Sequence, residues 1–227
     1  MASSRHESTS RAAVPPPQQN YEEAAARALM LVRKQPAEEL EWLGARRVGD
    51  RWELPILDDV LTVELQGGAV RDSTGRPVGP WWRILALHYL AVPGRPKQEA
   101  PATTFADLPA GRSYVPVYRQ RVIERLCRTA GRDRKTLRRA GEVLGGKVLR
   151  DSAESGSAPG TPPAGDLVFE FQVFPRVQFR VVWFAGDEEL APSASVLMPG
   201  NIESFLPLED IVVLSERLIA RLGGGRF

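Results

Sequence analysis

Apolar residues follow two spacings along the chain, one typical of helices and one typical of strands. In residues 20–35, Ala25, Leu29 and Val32 recur at helical spacing, which predicts an amphipathic helix with one buried side. Residues 80–92 form a mostly apolar segment between prolines, which predicts a buried helix. Further helices are expected after Pro116 up to residue 131, at residues 133–145 and at residues 208–222.

Strands are predicted where a short apolar or alternating segment is bounded by turn residues. The clearest pair is residues 166–174 and 177–186, which are joined by a bend at Pro175 and Arg176. A bend this short brings its two strands together in antiparallel orientation. Other strands are expected at residues 51–57, 60–66 and 194–200, with a brief strand between turns in residues 67–79.

Two segments in the middle of the chain carry more specific expectations. Residues 93–113 are rich in Pro, Ala and Thr, and their length suggests a flap or a lid. In the helix that follows, Ile123, Leu126 and Cys127 are expected to form the inner stripe, with arginines on the outer face. Asp133 is expected to cap the next helix.

This order of elements predicts an α+β fold, with antiparallel strands near both ends of the chain packed against about four to six helices. We expect a single compact domain at residues 20–222, with a flexible linker near residues 151–164. Residues 1–19 are rich in Ser, Pro and Gln, which predicts a disordered N-terminal arm, and residues 223–227 form a short tail.

Composition excludes several classes of protein. The 227 residues are 43% hydrophobic and 26% charged, which is typical of a soluble globular protein. Cys127 is the only cysteine and His6 and His88 are the only histidines, so a disulfide scaffold, a Cys/His zinc site and a cysteine-ligated iron–sulfur cluster are excluded. No segment resembles a membrane span or a secretory signal. We therefore expect a cytoplasmic protein without a membrane partner.

The charges are distributed unevenly, although the formal net charge is only +2. Residues 119–139 contain nine Arg or Lys against two acidic residues, whereas residues 165–227 contain five Arg against nine acidic residues. The basic segment is interpreted either as a solvated helix face or as a surface for a polyanion. It has no aromatic residues to stack on bases, so no specific nucleic-acid binding is predicted. The candidate polyanion contacts recur at helical spacing: Arg121, Arg125, Arg128 and Arg132.

Three consecutive carboxylates, residues 187–189, separate two segments that are apolar enough to be buried. Adjacent residues of an extended chain point to opposite sides, so only Asp187 and Glu189 could converge on one ligand. Asp166 begins the preceding strand and is expected near the same rim. A solvated turn or cap, a ligand contact and a metal or acid–base site all remain open for these carboxylates.

The helix at residues 80–92 offers a second group of candidates. Histidine side chains titrate near neutral pH, which makes His88 a candidate general base, although a histidine bonded to backbone is the common alternative. Trp81 on the same helix and Tyr114 after the loop are either core residues or walls of a pocket for a flat ligand. The predicted ligand-binding residues are Trp81, His88, Tyr114, Asp166, Asp187 and Glu189.

These residues favour a small-ligand or cofactor binding domain or accessory domain. One alternative is a metal-assisted hydrolase that uses the carboxylates of residues 187–189, with His88 as the base. Another is a weak polyanion binder that acts through residues 119–139. No motif identifies a cofactor, an assigned metal site, a catalytic residue or an oligomeric state, so whether the protein is an enzyme stays open.

The order of several motifs resembles a known family. The motifs are Gly165-Asp166, the Pro175-Arg176 bend, Gly186-Asp187-Glu188-Glu189 and Ser193-Ala194-Ser195, each placed around apolar strands. In this order they resemble the prokaryotic domain of unknown function 3786 family over roughly residues 20–222. The resemblance implies a single compact domain without an assigned activity. Some relatives carry a cysteine-rich iron–sulfur module, which this chain lacks, and Met198-Pro199 stands where relatives have Phe-Asp.

Overall fold

A computed structural model describes residues 17–97, 100–153 and 165–227, with side chains described from residue 21 onward. The α-helices are α1 Pro17–Val32, α2 Ala37–Trp42, α3 Pro80–Leu90, α4 Val115–Tyr118, α5 Arg125–Arg128, α6 Arg134–Val143 and α7 Leu208–Leu222. The strands are β1 Arg46–Val48, β2 Arg51–Ile56, β3 Asp59–Glu64, β4 Val70–Arg71, β5 Ala102–Thr104, β6 Lys147–Asp151, β7 Leu167–Phe174, β8 Val177–Phe184 and β9 Ser193–Pro199.

The strands form two antiparallel sheets. The first has the order β1-β2-β3-β4 and is built from neighbouring segments of the chain. The second has the order β5-β9-β8-β7-β6, with β7 and β8 as its central hairpin. Alternate residues of β2 are buried, namely Trp52, Leu54 and Ile56, so one face of the first sheet covers the core.

The two sheets meet where the β7–β8 turn docks against the segment between α2 and β1. The Tyr89 hydroxyl donates to the Leu43 carbonyl at 2.7 Å and accepts the Arg176 backbone N–H at 3.1 Å. Arg176 Nε donates to the Trp42 carbonyl at 2.7 Å, and its guanidinium lies 5.1 Å from the centre of the Trp42 ring. We call these contacts, together with the packing of Pro175 against Gly44, the sheet junction.

A π-helical segment, Arg119–Glu124, joins α4 to α5, and we call the continuous element from Val115 to Arg128 the 115–128 helix. Its fully buried side chains, Tyr118, Val122 and Leu126, recur every four residues. In an α-helix, a step of four residues drifts by about 40° per turn, because one turn contains 3.6 residues. The wider π turn offsets this drift, so that all three side chains reach the same core.

The structure confirms the α+β fold and most of the predicted elements. The predicted inner stripe of the 115–128 helix is correct for Leu126 and wrong for Ile123 and Cys127, which are only half-buried. Val122 is buried instead. The predicted flap at residues 93–113 contains β5, which pairs with β9, and Phe105 is buried within it. The tight turn between β7 and β8 confirms the predicted bend.

Other differences from the prediction concern the start of the first helix and two additional strands. The first helix begins at Pro17 rather than after Asn20, so part of the predicted arm is helical. Strands β1 and β6 were not predicted, and β6 includes Asp151, the first residue of the predicted linker. Residues 1–16 of the predicted arm and residues 154–164 of the predicted linker lie outside the described residues.

Candidate functional site

His88, in the last turn of α3, contacts the first turn of α7. Its Nδ1 lies 2.5 Å from Oδ2 of Asp210. A carboxylate only accepts hydrogen bonds, so Nδ1 carries the proton of this contact and Nε2 is the ring nitrogen that takes no part in it. The Asp210 side chain is 9% exposed and the His88 side chain 25%, so the pair stands at the edge of the core with the imidazole outermost.

Trp81, at the other end of α3, forms a second contact with α7. The Arg217 guanidinium lies 5.8 Å from the centre of the Trp81 ring, which is within the range of a cation–π contact. Tyr21 of α1 packs edge-on against the same indole, with 4.2 Å between ring centroids. The indole therefore brings α1, α3 and α7 together.

These two contacts fix how α3 and α7 lie against each other. Trp81 and His88 are seven residues apart on α3, and Asp210 and Arg217 are seven residues apart on α7. The two helices therefore run antiparallel, and the two contacts are separated by about 10 Å along the helix axes. Between them on α7 lies half-buried Val213, which packs against the core and places an apolar side chain between the two polar contacts.

The far side of α7 is bordered by the 115–128 helix. Nη1 of Arg121 lies 3.4 Å from Oε1 of Glu216, and the Tyr118 hydroxyl donates to Ser215 Oγ at 3.2 Å. The Glu216 side chain is only 15% exposed. A π-helical segment in contact with such a surface is notable, because π-helical turns are frequent at functional sites.

The charges around α7 influence one another. Burial raises the pKa of Tyr21, and the Glu216 and Glu209 carboxylates raise it further, while Arg121 opposes them. Burial also lowers the pKa of Arg217, with Arg125 adding to the effect and Glu216 opposing it. We call this surface the α3–α7 site. Its members are Tyr21, Trp81, His88, Asp210, Glu216 and Arg217.

The acidic turn lies in a different place. A cleft of about 490 Å³ is bordered on one side by residues 132–134 and on the other by residues 185–192, with Trp183 between them. Asp187, Glu189 and Arg132 all line this cleft, whereas Trp81, His88 and Tyr114 do not. The structure thus separates Trp81 and His88 from Asp187 and Glu189, and it places Tyr114 with neither pair.

The Asp187 carboxylate is used within its own turn. Its Oδ1 accepts the backbone N–H groups of Glu189 at 2.9 Å and Leu190 at 2.8 Å. These two hydrogen bonds hold the pKa of Asp187 below its ordinary value. Asp166 acts similarly, since its Oδ2 accepts the Ala185 N–H at 2.8 Å and so fastens the end of β8. This arrangement corresponds to the cap interpretation of these carboxylates.

The remaining predicted residues are more scattered. Tyr114 lies on the short 3₁₀ turn Arg112–Tyr114 and is 36% exposed. Arg121 faces Glu216, while Arg128 lies 3.3 Å from Glu124 and Arg132 lies 3.3 Å from Asp133. Arg125 is exposed on the same helix as Arg121 and Arg128.

The described ranges contain neither a cluster of metal ligands nor a membrane-spanning helix. Within residues 17–97, 100–153 and 165–227, no group of three His, Cys, Asp or Glu side chains could hold a metal ion. Of the helices in these ranges, none combines the length and the apolar character that crossing a bilayer demands.

Comparison with known proteins gives one match. A family model described as domain of unknown function (DUF3786) matches residues 35–221, which is most of the chain. The chain belongs to the DUF3786 family. No curated protein matches the chain, and no solved structure matches it either.

Three residues of the α3–α7 site lie within the DUF3786 match but were not predicted as candidates. They are Asp210, Glu216 and Arg217, all on α7. The signal for them is their spacing, because residues 210 and 217 stand on the same face two turns apart, as Trp81 and His88 do on α3. Only the structure shows that these two faces meet, since 122 residues separate His88 from Asp210.

Proposed function

We propose that this DUF3786 domain binds a small ligand at the α3–α7 site. The supporting observation is the pairing of two contacts on one antiparallel helix pair, His88 with Asp210 and Trp81 with Arg217. Together they offer a hydrogen-bonding imidazole at one end, an aromatic ring with a guanidinium at the other, and an apolar surface between. Few convergent polar groups around an apolar surface are typical of ligand sites.

The orientation of His88 favours this proposal. Because Asp210 accepts from Nδ1, the imidazole is held in one tautomer and one ring position. Among the described residues, none makes a hydrogen bond to Nε2, so this atom is available to a ligand. A histidine ordered in this way either accepts a hydrogen bond from the ligand or, when protonated, donates one.

The acidic turn supports a ligand site less well. Both Asp187 and Asp166 already accept backbone N–H groups, which accounts for their position without a ligand. Glu188 and Glu189 line the cleft, but within the described ranges no group of three His, Cys, Asp or Glu side chains could hold a metal ion there. We therefore propose binding, rather than metal-assisted hydrolysis at residues 187–189, and assign these carboxylates to the turn.

A ligand screen tests the proposal. We expect at least one compound from a library of nucleotides, organic acids, amino acids and cofactors to raise the melting temperature. At a concentration of 100 times Kd, binding adds about 2.7 kcal/mol to the apparent stability, or roughly 5–10 °C for a chain of this size. The shift should be lost in His88→Gln and in Trp81→Ala.

The control for this screen is Arg46→Gln, which changes an exposed β1 side chain paired with Glu53 away from the α3–α7 site. Arg46→Gln should retain the shift. If the library gives no shift, or if His88→Gln and Trp81→Ala respond as fully as the wild type, the proposed function is wrong.

We also propose that the basic helices bind no nucleic acid specifically. Three of the four candidate arginines lie beside a carboxylate within 3.4 Å, and such pairs lower the net charge that phosphates would meet. In a gel-shift titration, we expect only weak association that disappears as salt approaches about 0.15 M, because each phosphate contact releases counterion. Sub-micromolar binding at that salt, abolished by changing Arg121, Arg125 and Arg128 to Glu, would contradict this prediction.

A cytoplasmic location is proposed on the basis of Cys127. With one cysteine in the chain, no internal disulfide can form, which suits a reducing compartment. Burial raises the pKa of the Cys127 thiol, so at neutral pH it stays in the less reactive protonated form.

A further inference from the structure

We propose that the ligand of the α3–α7 site carries an anionic oxygen group, a carboxylate or a phosphate, that binds Arg217. This inference rests on the proposed function and specifies the chemical class of the ligand. It begins with the hydrogen-bonding state of a single guanidinium.

Arg217 has donors without acceptors. Its side chain is 26% exposed, and Nε is buried and makes no hydrogen bond to any described residue. The closest carboxylate oxygen, Oε2 of Glu216, lies 4.0 Å from Nη2 of Arg217, which is beyond hydrogen-bond distance. A guanidinium has five N–H donors, and leaving buried donors unpaired is unfavourable.

The described neighbours of Arg217 do not satisfy its donors. Trp81 covers the face of the guanidinium, which orients the plane of the N–H groups but satisfies none of them. Glu216 is shared, because its Oε1 is directed to Arg121. An oxyanion at the edge of the Arg217 guanidinium would accept two parallel hydrogen bonds, which is the geometry that guanidinium groups favour.

Partial burial strengthens such a contact. Arg217 is removed from much of its solvent, and nearby Arg125 adds a second positive charge. Electrostatic attraction to an anion is larger at a partly buried cation than in bulk water. A positively charged ligand would be repelled by Arg217, and a neutral acceptor would form hydrogen bonds without the contribution of a negative charge, so both should bind less tightly.

The separation of the two contacts limits the ligand further. His88 Nε2 and the Arg217 guanidinium belong to contacts about 10 Å apart along the helices, with Val213 between them. A ligand that reaches both would carry its anionic group at one end, an apolar body in the middle and a polar atom at the other end. A small aromatic acid is the simplest probe for the Arg217 end.

The test is an NMR titration of the whole protein with three probes. Benzoate, phenyl phosphate and the neutral isostere benzamide are titrated while the indole N–H signal of Trp81, assigned with Trp81→Phe, is monitored. We expect saturable shifts with benzoate or phenyl phosphate, and at least tenfold weaker binding of benzamide. Whichever of the two anions binds more tightly identifies carboxylate or phosphate as the preferred group.

Variants separate Arg217 from general charge. Arg217→Gln should weaken binding of the anion at least tenfold, and Arg217→Lys, which keeps the charge but not the planar fork, should have a smaller effect. Arg128→Gln, at an exposed arginine paired with Glu124, should bind as the wild type does. Unchanged thermal unfolding of each variant shows that the fold is retained.

Two outcomes overturn the inference. If benzamide binds as tightly as benzoate, or if Arg217→Gln binds the anions normally, the ligand is not selected by its negative charge, while the α3–α7 site remains a ligand site. If none of the three probes shifts the Trp81 signal, the anionic class is wrong. The proposed function fails with it only when the wider ligand screen also finds no compound.

Discussion

Replacing Gly44 with alanine is expected to lower the free energy of unfolding by about 3 kcal/mol, as the sum of backbone strain and a steric clash. Gly44 has a φ of +87°, a conformation that residues with a Cβ rarely adopt. A Cβ at this position would also lie 2.3 Å from Cβ of Pro175 in the sheet junction. Either the β7–β8 turn or the α2–β1 segment would have to move.

Gly49 provides the matched control for this prediction. Its φ of +63° is also positive, but a Cβ there would have no neighbour within 4 Å. Gly49→Ala should therefore cost only the strain of the left-handed conformation, about 1 kcal/mol. Denaturant unfolding measures both variants, and equal losses would show that Pro175 does not press against Gly44 in the folded protein.

The second large effect is expected from Asp151→Asn, with a loss of about 3 kcal/mol or more. Asp151 is 6% exposed and accepts from both Arg134 and Arg138 of α6, so it joins this helix to β6. Arg134 also donates to the Asp166 carbonyl at 3.2 Å, which ties the same guanidinium to the start of β7. Removing the carboxylate charge leaves the two guanidinium groups without their shared anion.

Glu142→Gln is the control for this effect, because Glu142 is the other carboxylate bound to Arg138 but is half exposed. An exposed pair of this kind contributes no more than about 0.5 kcal/mol. Thermal unfolding should therefore separate the two variants by roughly 5–10 °C. Similar melting temperatures for both would mean that solvent compensates Asp151 as well as it does Glu142.

The hairpin of β7 and β8 could be predicted because its signal is local. In β7 and β8, short apolar runs flank a two-residue bend, and this pattern is sufficient to specify a hairpin. The 115–128 helix is different, because it contains a π-helical segment that no local sequence pattern predicted. Assuming a regular α-helix selected Ile123 and Cys127 for the buried stripe instead of Val122.

The candidate site could be predicted only in part. Trp81 and His88 stood out by residue type, but Asp210 and Arg217 resemble the ordinary charged face of an amphipathic helix. The conspicuous carboxylates at residues 187–189 suggested a ligand, whereas backbone N–H groups of the same turn satisfy Asp187. Local sequence therefore indicated only Trp81 and His88 of the α3–α7 site, and the packing of α3 against α7 determined which residues they contact.

The sheet junction also bears on how long the folded protein lasts. Its Arg176–Trp42 hydrogen bond joins residues 134 positions apart, whereas the first sheet pairs only neighbouring strands. Closing so long a loop costs conformational entropy before any contact compensates for it. We therefore expect the Arg176–Trp42 contact to form after the folding transition state. Interactions that are absent from the transition state slow unfolding without accelerating folding. Contacts of the β7–β8 turn should therefore lower the unfolding rate, and so lengthen the lifetime of the native state, more than they raise the folding rate.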